Sequence, residues 1–278
     1  MTKQLRRRWQ RALGLALVVY AAAWVAPASA GECLASGASL DVLTLNTWGL
    51  PTPVAWDRRG RMPDIARLVK DEPPDAVGLQ EVWRGALHLL DLDLVRPDLD
   101  GDSGLAVVTP HPVLRRSAVA YAEATGTDRL KRKGVLATQI DLPDAGPTWI
   151  VVTHLQSSDN PEAARVRAGQ VDLLLAATSG EEGPAVLMGD FNFYEGNVED
   201  QRTARRLRDA GWVDSTDVAG GAEPTFPGNG ERFDRILVRA GAGRCLTPEQ
   251  VEVVHPRTRL SDHQPVRATL RVGVSAED

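Results

Sequence analysis

In "GDFNF", Gly189 to Phe193, an aspartate and an asparagine stand two residues apart, directly after the apolar run "PAVLM" of residues 184–188. The run reads as a short buried strand, and alternation at its end sends Asp190 and Asn192 to one side and Phe191 to the other. A carboxylate and an amide converging in one place can bind a cation, position water or grip a phosphate. Asp, Asn and Gly also form turns for backbone reasons alone, so this pair by itself fixes no chemistry. The same residue types recur at the ends of other apolar segments. Asn46 closes "LDVLTLN", Glu81 follows "DAVGLQ" within "LQEVW", and His154 closes "TWIVVTH". Asp234 opens "FDRILVR", while Asp262 and His263 stand in "SDHQPV", just before the last apolar segment. Loops held at strand ends by a rigid sheet are where catalytic groups are usually placed. His88, His111 and His255 fall outside this pattern and read as surface or packing residues.

The elements that must position these groups are mostly strands. Apolar, β-rich segments recur at 40–46, 75–80, 104–109, 134–140, 148–154, 185–190, 233–239, 250–255 and 265–272. Helical patterns are fewer: "MPDIARLVKD" with Pro63 in its first turn, "PEAARVRAGQVDLLLAAT" after Asn160, and the amphipathic "NVEDQRTARRLRDAGW" closing at Gly211. About nine strands and three or four helices in mixed order argue an α/β or α+β fold with helices outside a strand-rich centre.

The chain has 278 residues, 43% hydrophobic and 25% charged, which suits one globular domain with a substantial core. Its first thirty residues differ. Lys3, Arg6, Arg7, Arg8 and Arg11 precede the apolar "ALGLALVVYAAAWVA", and "PASAG" follows with small residues. That order predicts a secretory signal peptide over residues 1–30, cleaved near Ala30, and a catalytic domain over 31–278 in a secreted or periplasmic protein. A single membrane anchor is the other reading, disfavoured by the short apolar run. Removing residues 1–30 takes away five basic residues and no acidic ones, so 27 basic residues face 37 acidic ones, a net charge of −10. Such a domain has no general attraction for polyanions. Cys33 and Cys245 would meet an oxidising compartment, where they either form one disulfide or stay as two free thiols.

Together, "LNTWGL", "LQEVW", "GLAVVTPHPV", "THLQ", "MGDFN", "RFDRILV" and "SDHQPV" resemble, in order, the motifs of the endonuclease/exonuclease/phosphatase superfamily. The resemblance runs over residues 40–272. It implies a four-layer α/β sandwich, two packed mixed β-sheets flanked by helices, and a Mg²⁺-dependent phosphoric diester hydrolase. Glu81 and Asn46 would hold the divalent ion, Mg²⁺ or another hard cation such as Mn²⁺, since a carboxylate plus an amide oxygen suits such an ion. Asn192 and His154 would hydrogen-bond the phosphoryl oxygens as charge builds up. His263 would take a proton from the attacking water, oriented by Asp234 rather than by its neighbour Asp262. Asp190 would share in positioning or deprotonating that water.

Within the superfamily the chain is most similar to the neutral sphingomyelinase branch. "THLQ" and "GLAVVTPHPV" have that branch's form, and "GTDRLKRKG" resembles its Asp-x4-Lys-Gly segment, which assigns Asp128 and Lys133 to a switch pair, with Lys133 reaching the phosphate. A basic surface hairpin is the other reading of "LKRKG". The resemblance thus implies a phospholipid or membrane-surface substrate, sphingomyelin or a related choline lipid, with nucleic acid as the alternative substrate and no protein partner. "TWGLPTPVAW", with Trp48 and Trp56, would form an apolar lip by the metal site or pack under the sheet. For a nuclease, "RRGR" (Arg58, Arg59, Arg61) and "RTARRLR" (Arg202 to Arg208) are the cationic candidates, the second expected on a solvated helix face. A catalytically inactive binding relative would lack a ligand or a histidine, and none is missing.

Overall fold

The computed structural model describes residue 33, residues 37–241 and residues 243–275. The expected signal peptide and its cleavage site lie outside the described residues. Eleven strands form two sheets. The first has the order β10 (Arg244–Val253), β11 (Val266–Val274), β1 (Ala38–Asn46), β2 (Ala76–Gln80) and β3 (Ala106–Val108). The second has the order β4 (Val113–Ala120), β5 (Gly134–Leu142), β6 (Gly146–His154), β7 (Ala185–Asp190), β9 (Asp234–Arg239) and β8 (Val213–Asp214).

Alternation along the central strands explains why they read as nearly continuous apolar runs: both of their faces are buried. On β1, Leu40 and Val42 enter the core between the sheets, while Leu43 and Leu45 pack outward against Met62 and Ile65. On β6, Ile150 and Val152 face the inter-sheet core, and Trp149 and Val151 face Val171 and Leu174. The outward partners belong to helices: α1 (Arg58–Asp71) and α2 (Arg84–Leu90) cover the first sheet, and α3 (Pro161–Thr178) and α4 (Val198–Asp209) cover the second. The result is the four-layer α/β sandwich, two mixed sheets between helices. A short helix α5 (Ser215–Ala219) follows β8. Among the described residues no helix is long and apolar enough to cross a membrane.

Several elements depart from the sequence expectation. Helix α1 begins at Arg58 rather than Met62, because Asp57 caps it by accepting from Gly60 N–H, so Pro63 lies inside the helix. Strand β4, α2, β8 and α5 add to the expected set; β4 shows no period-two signal because the side chains from Val113 to Ser117 are all exposed at a sheet edge. Cys33 and Cys245 form a disulfide with a Cα–Cα distance of 5.3 Å, which removes the free-thiol alternative.

The topology gathers the polar strand ends at one edge of the sandwich. Strands β1 and β2 run parallel, as do β6 and β7, so Asn46 and Gln80 end side by side, and His154 ends beside Asp190. Strand β9 runs antiparallel to β7 with Asp234 opposite Asp190, so its start lies where β7 stops. Strand β11 enters antiparallel to β1, with Val266 opposite Thr44, which brings the 261–263 segment to the same edge.

Candidate active site

Backbone shape at the strand ends is specific. Gly189 has φ +144°, and a Cβ there would lie 2.0 Å from the Thr153 carbonyl oxygen, so only glycine lets β7 approach β6 this closely. Trp48, Glu81 and Asn192 adopt φ of 49°, 57° and 50°, left-handed values uncommon for non-glycine residues, which cluster at functional sites.

Asp190 sits at the centre. Its Oδ1 accepts from the Asn192 backbone N–H at 3.0 Å, and its Oδ2 accepts from Asn46 Nδ2 at 3.0 Å. The same Oδ2 lies 3.3 Å from His154 Nε2 and 3.8 Å from His263 Nε2. Burial raises the Asp190 pKa to about 6, against the opposing pull of His263. His263 holds Asp234 Oδ2 through Nδ1 at 2.7 Å. Burial works against a charged His263, but Asp234, Asp190 and Asp262 outweigh it and push the imidazole up to about 10. Asp234 is itself fixed: Thr225 Oγ1 accepts from the Phe233 and Asp234 backbone N–H groups, both at 3.0 Å. Phe226 packs edge-on against the His263 ring, 4.9 Å between centroids.

Lys133 lies inside the site, 5% exposed, and not on a solvated hairpin. Its ammonium donates to Asp128 Oδ2 at 2.8 Å and to the Leu155 carbonyl at 2.9 Å, and it lies 2.8 Å from His154 Nε2. Since an ammonium only donates, His154 Nε2 is the acceptor and the ring proton stays on Nδ1, a buried atom without a partner. Burial, then Lys133, then His263 hold the His154 pKa well below 6.5. Asn192 Nδ2 donates to the Leu155 carbonyl at 3.2 Å, beside the Lys133 ammonium.

Glu81 lies at the other end of the site. Its Oε1 accepts from Asn46 Nδ2 at 3.2 Å and its Oε2 from Trp83 Nε1 at 3.2 Å. Asp262 is near enough that Glu81 adds to the rise in its pKa, which burial chiefly causes and His263 opposes. The Glu81 carboxylate and the Asn46 amide, which stands between it and Asp190, are the oxygen-bearing groups expected to receive a hard divalent cation. Asn46 presents its NH₂ to Glu81, because its Oδ1 accepts from Trp48 N–H at 3.0 Å. Ligation through its oxygen requires the amide to rotate. Among the described residues no group of three or more His, Cys, Asp or Glu is arranged to hold a metal ion.

The structure thus brings together Asn46, Glu81, Lys133, His154, Asp190, Asn192, Asp234, Asp262 and His263. It also shows supporting residues that sequence reasoning passed over. Ser261 Oγ donates to the Asn46 carbonyl at 2.6 Å and accepts from His263 N–H at 3.2 Å, tying the two ends of the site together. Gln156 accepts from Thr125 N–H at 2.8 Å, fixing the turn that carries Asp128. Both stand inside quoted motifs, "SDH" and "THLQ", where their position was the available signal. Arg61 corrects an expectation. It is buried, with its guanidinium donating to the carbonyls of Thr47, Trp48, Trp56 and Leu260 at 2.7–3.0 Å, so it clamps the lip loop and has no face for nucleic acid. Trp48 and Trp56 meet edge-on at 6.4 Å above it.

The description "Endonuclease/Exonuclease/phosphatase family" belongs to the family model that matches residues 43–263, a span holding every residue of the site. The chain belongs to the endonuclease/exonuclease/phosphatase family. The activities in that name cleave phosphate esters. A Drosophila melanogaster protein named "Putative neutral sphingomyelinase" is 25% identical over 275 residues, covering 84% of this chain, which spans only 61% of that protein's length. Among solved structures, sphingomyelinase C from Streptomyces griseocarneus is 24% identical with a TM-score of 0.61, covering 84% of this chain and 99% of its own. TDP2 from D. rerio, complexed with a single-strand DNA product, is 18% identical with a TM-score of 0.70 and covers 84% and 99%. Both structural likenesses concern the fold.

Proposed function

We propose that the chain is an exported, divalent-metal-dependent phosphodiesterase that hydrolyses sphingomyelin or a related choline phospholipid and releases the phosphorylated head group. Lys133 carries this reading. The segments "THLQ" and "GTDRLKRKG", each of sphingomyelinase form, meet in its ammonium, which touches both Asp128 and His154. The relative named "Putative neutral sphingomyelinase" supports it, as do Val54 and Trp56 on the loop after β1 and Leu130 on the turn bearing Asp128, which are 61%, 40% and 83% exposed. Apolar side chains on loops that hold site residues suit a lipid surface.

In this mechanism His263 accepts the proton of an attacking water at Nε2 while Asp234 supports the imidazolium that forms. Asp190, 3.8 Å from that nitrogen, orients the water. The Asn192 amide and the Lys133 ammonium, which gives up its bond to the Leu155 carbonyl to do so, meet the phosphoryl oxygens as negative charge accumulates, and His154, rather than donating to phosphate itself, keeps Lys133 in place by accepting from it. Glu81, with Asn46 after rotation of its amide, would hold Mg²⁺ or Mn²⁺, which when bound neutralises phosphate charge and eases departure of the leaving oxygen. Attack by water implies no covalent intermediate.

A nuclease of the deoxyribonuclease type would use the same set. Arg259, placed 6.0 and 5.7 Å from the Trp48 and Trp56 ring centroids, favours it, since aromatic and cationic groups together hold single strands. The assay that separates the two gives residues 31–278 with Mg²⁺ labelled sphingomyelin, phosphatidylcholine and plasmid DNA in parallel. Head-group release is expected. Lys133→Ala should slow it at least about tenfold with metal binding intact, and DNA nicking without head-group release would overturn the lipid reading but leave the phosphodiesterase.

A further inference from the structure

The arginine run of α4, read from sequence as a solvated face, borders a cavity that the chemistry above does not use. It has a volume of about 330 Å³ and lies between α4 and the loop leaving the site, walled by Phe193 and Tyr194 and ringed by Arg205, Arg208, Arg232 and Arg235. The hydrogen-bonding capacity around it is unbalanced. Asp200 also lines it, but both of its carboxylate oxygens are taken by Arg167 at 2.8 Å. Asp214 Oδ2 accepts from both Arg232 and Arg235 at 3.0 Å, and its Oδ1 accepts from Thr216 N–H and Oγ1–H at 3.1 and 2.8 Å. Arg208 reaches the exposed Asp217 at 3.1 Å, and Glu195 brings the remaining carboxylate from the loop. The Arg205 side chain has no hydrogen-bond or ion-pair partner among the described residues. The Arg235 Nε–H is buried without an acceptor. The cavity wall therefore carries guanidinium N–H groups, those of Arg205 above all, with too few oxygens to receive them.

We propose that this cavity binds a compact dianion of the phosphomonoester class, outside the catalytic centre and on the far side of the 193–195 loop. A tetrahedral phosphate offers several acceptor oxygens to forked guanidinium donors, which a single carboxylate cannot. The volume admits the phosphate together with a small organic group. Burial and the adjacent Arg232 both lower the Arg235 pKa, so a second anion beside Asp214 would relieve a like-charge pair now sharing one carboxylate.

Calorimetric titration and thermal unfolding of residues 31–278, without substrate or turnover, test this independently of the lipid assignment. The probes are inorganic phosphate and phosphocholine, with acetate at equal ionic strength as the control. Wild-type protein should bind phosphate and unfold at higher temperature in its presence. Arg205→Gln, at an exposed position that leaves the Asp214 network intact, should weaken that binding about tenfold or more, and Arg232→Gln should weaken it likewise. Lys133→Ala should leave it in place, which separates the cavity from any phosphate held at the active site. Tighter binding of phosphocholine than of phosphate assigns the cavity to a released head group, and the reverse assigns it to free phosphate. Superimposable phosphate titrations of wild type, Arg205→Gln and Arg232→Gln, or loss of all binding in Lys133→Ala, would overturn the proposal and leave the arginines a purely structural network.

Discussion

Three carboxyl groups, those of Asp234, Asp190 and Asp262, favour a charged His263 imidazole, and their combined pull places its pKa at about 10 despite burial. In the proposed mechanism His263 is the base and must be neutral, so turnover should rise with pH and its acid limb should lie above the ordinary imidazole value of about 6.5. Asp234 is the largest of the raising influences. Asp234→Asn should therefore move the limb to lower pH while reducing the limiting rate by about tenfold or more, because the ring is less well oriented. The folded state reports the same group without substrate. A pKa raised on folding contributes stability that is complete below about 6.5 and is lost as pH climbs toward the folded value. Thermal unfolding should thus weaken across that alkaline window in wild type and less steeply in Asp234→Asn. An unmoved limb in the variant would take the base role from His263. Most of the residues that meet here were legible in the sequence because polar residues at the ends of apolar runs stand out singly. The state of each was not: that His154 accepts at Nε2 follows from its contact with Lys133, the residue before β5, at the end of β6, which no local pattern encodes.

Between elements, the pair that matters most is Arg167 on α3 with Asp200 on α4, both essentially buried and joined by two 2.8 Å hydrogen bonds. Arg167 also donates to the carbonyls of Gln156 and Ser158 at 3.0 and 2.8 Å, and Asp200 accepts from the Tyr194 N–H at 3.1 Å. One ion pair therefore ties the loop after β6 and the loop after β7 to the helices behind them, and those loops carry Gln156 and Asn192. Asp200→Ala leaves a buried guanidinium without its counter-charge and should cost about 3–5 kcal/mol of unfolding free energy. The denaturant midpoint measures this, and turnover by the fraction still folded should fall as well, since both loops lose their anchor. Full activity in folded Asp200→Ala would confine the pair to a purely structural role. Helices α3 and α4 were each legible from periodicity and caps, yet their pairing was not. Arg167 and Asp200 look like ordinary helix-surface charges until the fold buries them.

At the scale of the whole molecule, the alternation of apolar residues sufficed for the central strands and the layered class. The edges escaped it: β4 has no buried face toward solvent to impress a period, and β8 is two residues long. Parallel pairing of β1 with β2 and of β6 with β7, which gathers the polar strand ends at one edge, is equally invisible in local sequence. The disulfide is a long-range feature of the same kind, since Cys33 and Cys245 are separated by 212 positions. It lies at the far end of the first sheet, where β10 begins, while Asn46 is the last of the nine residues of β1. At the usual rise per residue that separates it from the catalytic edge by about 25–30 Å. Stability and chemistry should therefore respond separately. Cys33→Ser with Cys245→Ser should lower unfolding free energy by about 2–4 kcal/mol, chiefly by freeing the unfolded chain. Under conditions where the variant remains folded, kcat/KM should stay within about twofold of wild type, because distant sites without shared partners act independently. A large loss of kcat/KM in the folded variant would mean that strand β1 transmits the link to Asn46, and an unchanged denaturant midpoint would mean that the bridge adds nothing to the stability of the folded domain.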